Sequence, residues 1–325
     1  MIRVGLLGCA HVHAAVYVSA FRGAELGAEP VAIYDKDAAR SAAFAQANGL
    51  GIAHDPEELC RMVDAVIVVA EHVHYPELVA AAAAAGRPVL LEKPLGATSA
   101  DCRLLLSSPA WLSVSFPVRY APPVVRAKHV LDRGELGALV AMSGANRGPY
   151  PGGFFGTKSL AGGGALIDHV VHVADTLRFL TGCEYSTVYA EAGHFREVGD
   201  VEDCAQLVAT TTDGAWASID SSWSRPPGMS GALDFEMTMW FERGRLHIDG
   251  FARRAMLVGP DGAIAFDDYG RGMNEEMLAD WIEAISTGGP PPIPAIEGGK
   301  ATALALAASR SVETGEVTLV RGILE

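Results

Sequence analysis

Through the first third of the chain, apolar runs of strand length alternate with longer alanine-rich stretches. The run IRVGLL (2–7) is followed by a helix from about Ala14, and PVAIYD (30–35) by a helix through KDAARSAAFAQANG (36–49). DAVIVVA (64–70), the helix YPELVAAAAAAG (75–86), the strand PVLLEKP (88–94), a helix near SADCRLLLSS (99–108) and the strand WLSVSFP (111–117) continue the pattern. Strands that are apolar at successive positions are buried on both faces, as in a parallel sheet covered by helices. After about Arg119 the grammar changes. A helix around PVVRAKHVLDRG (123–134) precedes ALVAMSGAN (138–146), and a helix through GALIDHVVHVADTLRFLTG (164–182) precedes several long strands. In LDFEMTMWF (233–241), Phe235, Met237, Met239 and Phe241 alternate with Asp234, Glu236 and Thr238, the signature of a sheet with one face on a core. The helices MLADWIEAIS (277–286) and GKATALALAASRSVETG (299–315) flank a proline-rich turn near the end. The predicted fold is α/β: an N-terminal domain over residues 1–118 with a parallel sheet, then an α+β domain over 119–325 with a large, mostly antiparallel open sheet.

Composition narrows the partners. The chain of 325 residues carries a net charge of −14, which disfavours nucleic acid, whose affinity comes from neutralised phosphates. No apolar run is long enough to span a bilayer, and the first strand leaves no room for a signal sequence, so neither membrane nor export is expected. The five cysteines, Cys9, Cys60, Cys102, Cys183 and Cys204, are scattered and odd in number. They suggest no disulfide framework or thiolate metal site and fit a reducing, cytoplasmic compartment.

Two stretches carry candidate chemistry. The turn in GLLGCAHVHA (5–14) has Gly8 where a dinucleotide-binding loop has its first glycine, but Ala10 and His13 stand at the second and third glycine positions. Asp35 ends the second strand where an acid would take the adenosine ribose hydroxyls, favouring NAD; Lys36 and Arg40 nearby keep NADP open. Read alone, Asp35 is equally a solvated turn residue. EKPLG (92–96) places Glu92 and Lys93 at the carboxyl end of a buried strand, where open α/β sheets bind ligands. Asp168 and His172, four apart on a helix after a glycine triplet, share one face, with Asp175 close to the same stripe. A sheet-edge Lys93 and a helix-start Asp168 are the plain structural alternatives. Oxidising a secondary alcohol needs a hydride acceptor, a base and a positive group beside the oxygen; His172 suits the second, Lys93 the third, and Asp168 orients either.

With these motifs, together with VRYAPPVVRAKHVLDRGELGALV (118–140) and AASRSVETGEVTL (307–319), the whole chain resembles the glucose-fructose oxidoreductase/inositol dehydrogenase (Gfo/Idh/MocA) family of NAD(P)-dependent oxidoreductases. The resemblance implies a Rossmann domain followed by an α/β domain with an open sheet, and hydride transfer between a nicotinamide cofactor and a hydroxyl carbon of a sugar, inositol or related polyol. It implies catalytic roles for Lys93, Asp168 and His172. It places cofactor against Gly8, Cys9, Ala10, His11, Val12, Asp35, Ala70, Glu71, His74, Glu92 and Lys93. Substrate is placed against Lys93, Arg119, Asn146, Lys158, Asp168 and His172. A homo-oligomer, dimer or tetramer, is expected because the open sheet commonly meets its copy. The chain departs from the family pattern at Ala10, at His13, in AEHVH (70–74) and at Val170, which bears on cofactor grip and pocket shape. Within the family, NAD-using glycosidases would employ the same three residues, and a cofactor-binding sensor would keep the loop without chemistry. A metal-dependent hydrolase, built on His11, His13, His72, His74, His169 and His172, is disfavoured because the β-α repeats stop after about Phe116, short of a barrel, so no metal is expected.

Overall fold

The computed structural model describes residues 1–226, 234–251, 254–258, 264–268 and 271–324. The first half runs β1 (Ile2–Leu7), α1 (His13–Gly23), β2 (Ala28–Tyr34), α2 (Ala38–Asn48), β3 (Gly51–Ile52), α3 (Pro56–Met62), β4 (Ala65–Val68), α4 (Tyr75–Ala84), β5 (Val89–Leu91), α5 (Ser99–Leu106) and β6 (Leu112–Val114). Its six strands lie in the order β3-β2-β1-β4-β5-β6, every pair parallel. All four residues of β4 are fully buried, which is why the strand reads as an unbroken apolar run. The helices start on local signals: Asp37 accepts from the N–H groups of Ala39 and Arg40 ahead of α2, and Thr98 forms a capping box with Asp101 ahead of α5.

The strand order reverses between β1 and β4, opening a crevice beyond their carboxyl ends. Gly8 stands there with φ +90°, and a Cβ on it would lie 2.5 Å from the Cβ of Ala70. Only glycine lets the chain leave β1 this close to the end of β4.

The second half contains α6 (Pro122–Leu131), β7 (Leu139–Arg147), α7 (Lys158–Ala161), α8 (Ala165–Thr181), β8 (Tyr185–Gly193), β9 (Cys204–Thr211), β10 (Trp216–Ser222), β11 (Asp234–Phe241), β12 (Gly244–Asp249), β13 (Arg254–Val258), β14 (Ile264–Asp268), α9 (Met273–Thr287), α10 (Ala295–Thr314) and β15 (Thr318–Leu319). Seven strands form a sheet ordered β12-β11-β7-β10-β9-β8-β15, antiparallel except for the β7–β10 pair. Phe235, Met237 and Met239 are buried on its inner face, whereas Trp240 is 41% exposed on the other. Leu233, read from the sequence as the start of that strand, lies outside the described residues.

Helix α8 lies on the inner face, against α10, and is buried nearly throughout. Its start is set by the glycine triplet: a Cβ on Gly164 would meet the carbonyl oxygen of Glu202 at 1.9 Å, so only glycine lets the helix enter this close to the neighbouring chain. The chain then returns to the first sheet. Met277, Leu278 and Trp281 of α9 share a core with Val4, Leu6 and Tyr17, and Thr302 of α10 accepts the Leu95 amide N–H at its Oγ1 at 2.9 Å. These two helices bind the halves to one another and fix where the crevice meets α8. All five cysteines are free, and among the described residues no helix is long and apolar enough to cross a membrane.

Candidate active site

The turn after β5 and the first turn of α8 meet at the crevice. Lys93 Nζ lies 2.5 Å from Asp168 Oδ1 and 3.2 Å from the Asp168 carbonyl oxygen, with both side chains almost fully buried. The second carboxylate oxygen of Asp168 accepts Trp223 Nε1–H at 3.0 Å and faces His169 Nε2 at 3.2 Å. Burial alone would raise the pKa of Asp168; Lys93 and His169 beside it, with the Trp223 donor, hold it well below the usual carboxylate range. One turn further along the same helix, His172 is buried, and its Nδ1 has no hydrogen-bond partner among the described residues. Burial, then the charge of Lys93, pushes its pKa well down, so the ring is neutral near neutral pH. A fixed cation, a carboxylate that orients it and a neutral imidazole with an unclaimed nitrogen therefore share one cleft.

Behind Lys93, Glu92 is fully buried. Its Oε1 accepts from His13 Nδ1 at 2.9 Å and from the Tyr17 hydroxyl, while its Oε2 takes the Lys93 amide at 3.1 Å. His13 and His11 outweigh the cost of burial and keep Glu92 ionised far into acid. His13, which stands where a dinucleotide-binding loop has its third glycine, sends its ring across to this carboxylate. His11 Nδ1 accepts the His13 N–H at 3.1 Å, satisfying the first amide of α1. Phe154 and Phe155, from the segment after β7, lie edge-on against His72 and His11.

A shallow groove beside the switch point is lined by Gly8, Asp35, Lys36, Ala70, Glu71 and His74, among others. Asp35 does not present a free carboxylate there. It accepts the Cys9 and Asp37 amides at 2.7 and 2.8 Å, and Arg40 pairs with it through Nε and Nη2 at 3.0 and 2.7 Å. Arg40 also reaches Glu71 at 2.8 Å. Asp35 thus holds the loop as well as the groove. The positive φ at Gly8, the missing room for a Cβ and the acid at the end of β2 fit the adenosine and diphosphate of a dinucleotide; Cys9, Ala10, His11 and Val12 form the turn above them.

Of the residues expected around substrate, the structure brings Lys93, Asp168 and His172 together and sets Asn146 beside them, its Nδ2 donating to the His169 carbonyl at 3.4 Å. Arg119 and Lys158 are placed elsewhere. The Arg119 guanidinium forks onto Asp175 at 2.7 and 2.6 Å, and Lys158 is exposed beside Glu313 in a separate open cavity. Trp223 was not read from the sequence. It follows β10, 55 residues after Asp168, and only the sheet brings its indole to that carboxylate.

Comparison with known proteins agrees with this architecture. Residues 2–113 match the sequence model of an oxidoreductase family with an NAD-binding Rossmann fold, and residues 124–247 that of the GFO/IDH/MocA C-terminal domain. The chain is 30% identical over 230 residues to inositol 2-dehydrogenase 2 of Saccharopolyspora erythraea, an alignment covering 67% of this chain and 66% of that one. It is 28% identical to inositol 2-dehydrogenase 1 of the same organism, over 97% of this chain and 95% of the other. Among solved structures, a probable dehydrogenase from Thermotoga maritima superimposes with a TM-score of 0.81 at 24% identity, covering 99% of this chain and 100% of that one. GenD2 of gentamicin A biosynthesis, solved with NAD, gives 0.84 at 23% identity over 98% and 96%. At these identities the structural likeness establishes the fold.

The buried histidines make stability depend on pH. Burial lowers the pKa values of His11, His72, His169 and His172, that of His72 to about 4. The unfolded chain therefore binds protons that the folded chain refuses, and stability present above about pH 6.5 is lost as the pH falls toward 4, by up to about 1.4 kcal/mol per pH unit for each proton. Urea unfolding at pH 7.5 and pH 5 should show a lower midpoint at pH 5 and a shallower dependence in His72→Gln. An unchanged or higher midpoint in acid would contradict the neutral assignment.

Proposed function

Because the chain belongs to the GFO/IDH/MocA oxidoreductase family and carries its NAD-binding Rossmann fold, we propose that it transfers a hydride between NAD and a hydroxyl-bearing carbon of a sugar, inositol or related polyol. The observation that carries this reading is the Lys93–Asp168 contact with His172 one turn away at the mouth of the dinucleotide crevice. Bound NAD supplies the hydride acceptor. Lys93, held in place by Asp168, offers its positive charge to the substrate oxygen, where negative charge grows as the C–H bond gives up its hydride. His172 receives the hydroxyl proton. Its depressed pKa keeps it in the accepting form but reduces its strength as a base, and the charge of Lys93 offsets this by making the hydroxyl more acidic. The carboxylate of Asp168, tied on its far side to Trp223, prevents the lysine from swinging away. The inositol dehydrogenase names among the relatives support polyols as the first substrates to examine.

A panel of inositols, polyols and aldoses with NAD, followed at the absorbance of the reduced cofactor, tests the reaction. Turnover of at least one is expected, and His172→Ala should lower kcat about 10²–10⁴-fold while leaving NADH affinity nearly unchanged. Full activity in His172→Ala would remove the base assignment. No turnover of any panel member by a protein that also fails to bind NADH would overturn the reading.

The adenosine end favours NAD over NADP. Asp35, Glu71 and Glu77 face Lys36 and Arg40 around the groove, leaving one excess negative charge where a 2′-phosphate would lie. Fluorescence titration should find NADH bound roughly tenfold more tightly than NADPH, about 1.4 kcal/mol. Equal or tighter NADPH binding would contradict it.

The outer face of the second sheet supports self-association. Trp216 and Trp240 flank Ala141 in register, and Tyr189 pairs with Val208; all four large side chains are exposed. Light scattering at micromolar concentration should report a dimer or tetramer, and a monomer would refute association.

A further inference from the structure

We propose that His11, His13 and Glu92 form a binding site for a divalent transition-metal cation of the zinc class. The His-x-His turn after β1 carries His13 over the end of β5, where Glu92 follows. One nitrogen from each imidazole and one carboxylate oxygen all lie within 4.8 Å of one another. His13 Nδ1 is 2.9 Å from Glu92 Oε1, and His11 Nε2 is 3.9 Å from Glu92 Oε2. Ligand atoms around a tetrahedral zinc stand roughly 3.3 Å apart, so the widest pair in the cluster needs to close by about 1.5 Å, roughly three-quarters of an ångström on each side.

Burial argues that the cluster lacks a partner. His11 is 2% exposed, and its Nε2, aimed at the carboxylate, has no hydrogen bond among the described residues. Such a group inside a protein calls for an occupant. Next to it, with ring centroids 6.1 Å apart, His72 donates Nδ1–H to the Ala161 carbonyl at 2.8 Å. That donation leaves the lone pair on Nε2, which is also buried and unpartnered among the described residues. Held in this tautomer, His72 stands beside the three ligands rather than among them and adds a second unpartnered imidazole nitrogen next to the cluster. Glu92 is similarly braced by the Tyr17 hydroxyl and the Lys93 amide. The ammonium of Lys93, which would repel a cation, is turned onto Asp168.

Two imidazoles and a carboxylate without thiolates suit zinc and its neighbours better than magnesium or calcium, which require oxygen ligands. Coordination through His11 Nε2 moves that ring's hydrogen to Nδ1 and releases the His13 N–H it now accepts. Ligation by His13 Nδ1 likewise moves that ring's hydrogen to Nε2 and ends its hydrogen bond to Glu92, so two hydrogen bonds are exchanged for three coordinate bonds. A satisfied His13–Glu92 pair with no cation accounts for the carboxylate but leaves His11 Nε2 unexplained.

The test reads metal rather than turnover. The 325-residue protein is stripped with chelator, loaded with zinc or cobalt(II), desalted and analysed by mass spectrometry for metal content and by visible absorption for cobalt. One retained equivalent and cobalt d–d bands are expected, both lost in His13→Asn and in Glu92→Gln but kept in His129→Ala, whose histidine is exposed on α6. Circular dichroism of each variant checks that it is folded. If Glu92→Gln does not fold, His13→Asn, whose ring is partly exposed, carries the comparison. No retained zinc and no cobalt bands in the parent protein, or equal retention in folded His13→Asn, would overturn the site. NADH titration run alongside keeps the two readings separate, since a protein that binds NADH but no zinc loses only this one.

Discussion

Everything in the cleft depends on one buried ion pair, Lys93 with Asp168. Each partner is supplied by a different sheet system, Lys93 by the turn after β5 and Asp168 by the helix that lies on the second sheet. Neither charge is tolerable alone at this depth: breaking such a pair by removing one member typically costs about 3–5 kcal/mol, because the other is left buried and unanswered. The pair therefore requires the two halves to meet in one arrangement. Helices α9 and α10, which run back over the first sheet before β15 adds the last strand to the second, supply the contacts that keep them there.

The electrostatics of the surrounding residues follow from that placement. Asp168 stays ionised because Lys93, His169 and Trp223 all face it, and Glu92, one residue before Lys93, is held ionised by His13 and His11. The imidazoles sit between these charges with too little solvent to protonate readily, so His11, His72 and His172 are neutral where an exposed histidine would begin to titrate. A polar cluster this dense is uncommon in an interior, and it lies at the carboxyl ends of the strands, where the parallel sheet leaves its crevice.

The parallel half was legible because strands buried on both faces leave continuous apolar runs, and the fold class inferred from them is the one observed. Strand β3, with two residues, and helix α3, with seven, were too short to leave a period. The candidate site was legible where its members sit beside turn signals: Lys93 before Pro94, Asp168 and His172 after three glycines. Contacts across long separations were not. Nothing in the local sequence ties Trp223 to Asp168, His13 to Glu92, or Arg119 to Asp175, since each pairing is made by sheet register and helix docking. Asp175 lies close to the same stripe as Asp168, but that it claims the charge of Arg119 follows only from where α8 meets the turn before α6.

Lys93 and Asp168 act as one coupled unit joining the halves, and a double-mutant cycle measures that coupling directly. Urea unfolding of the parent, Lys93→Met, Asp168→Asn and the double variant gives the interaction energy. Each single change is expected to destabilise by several kcal/mol and the second to restore much of the loss, a coupling of about 2 kcal/mol or more. Additive effects, with the double variant as unstable as the sum of the singles, would show that the two charges do not depend on each other and would contradict the account.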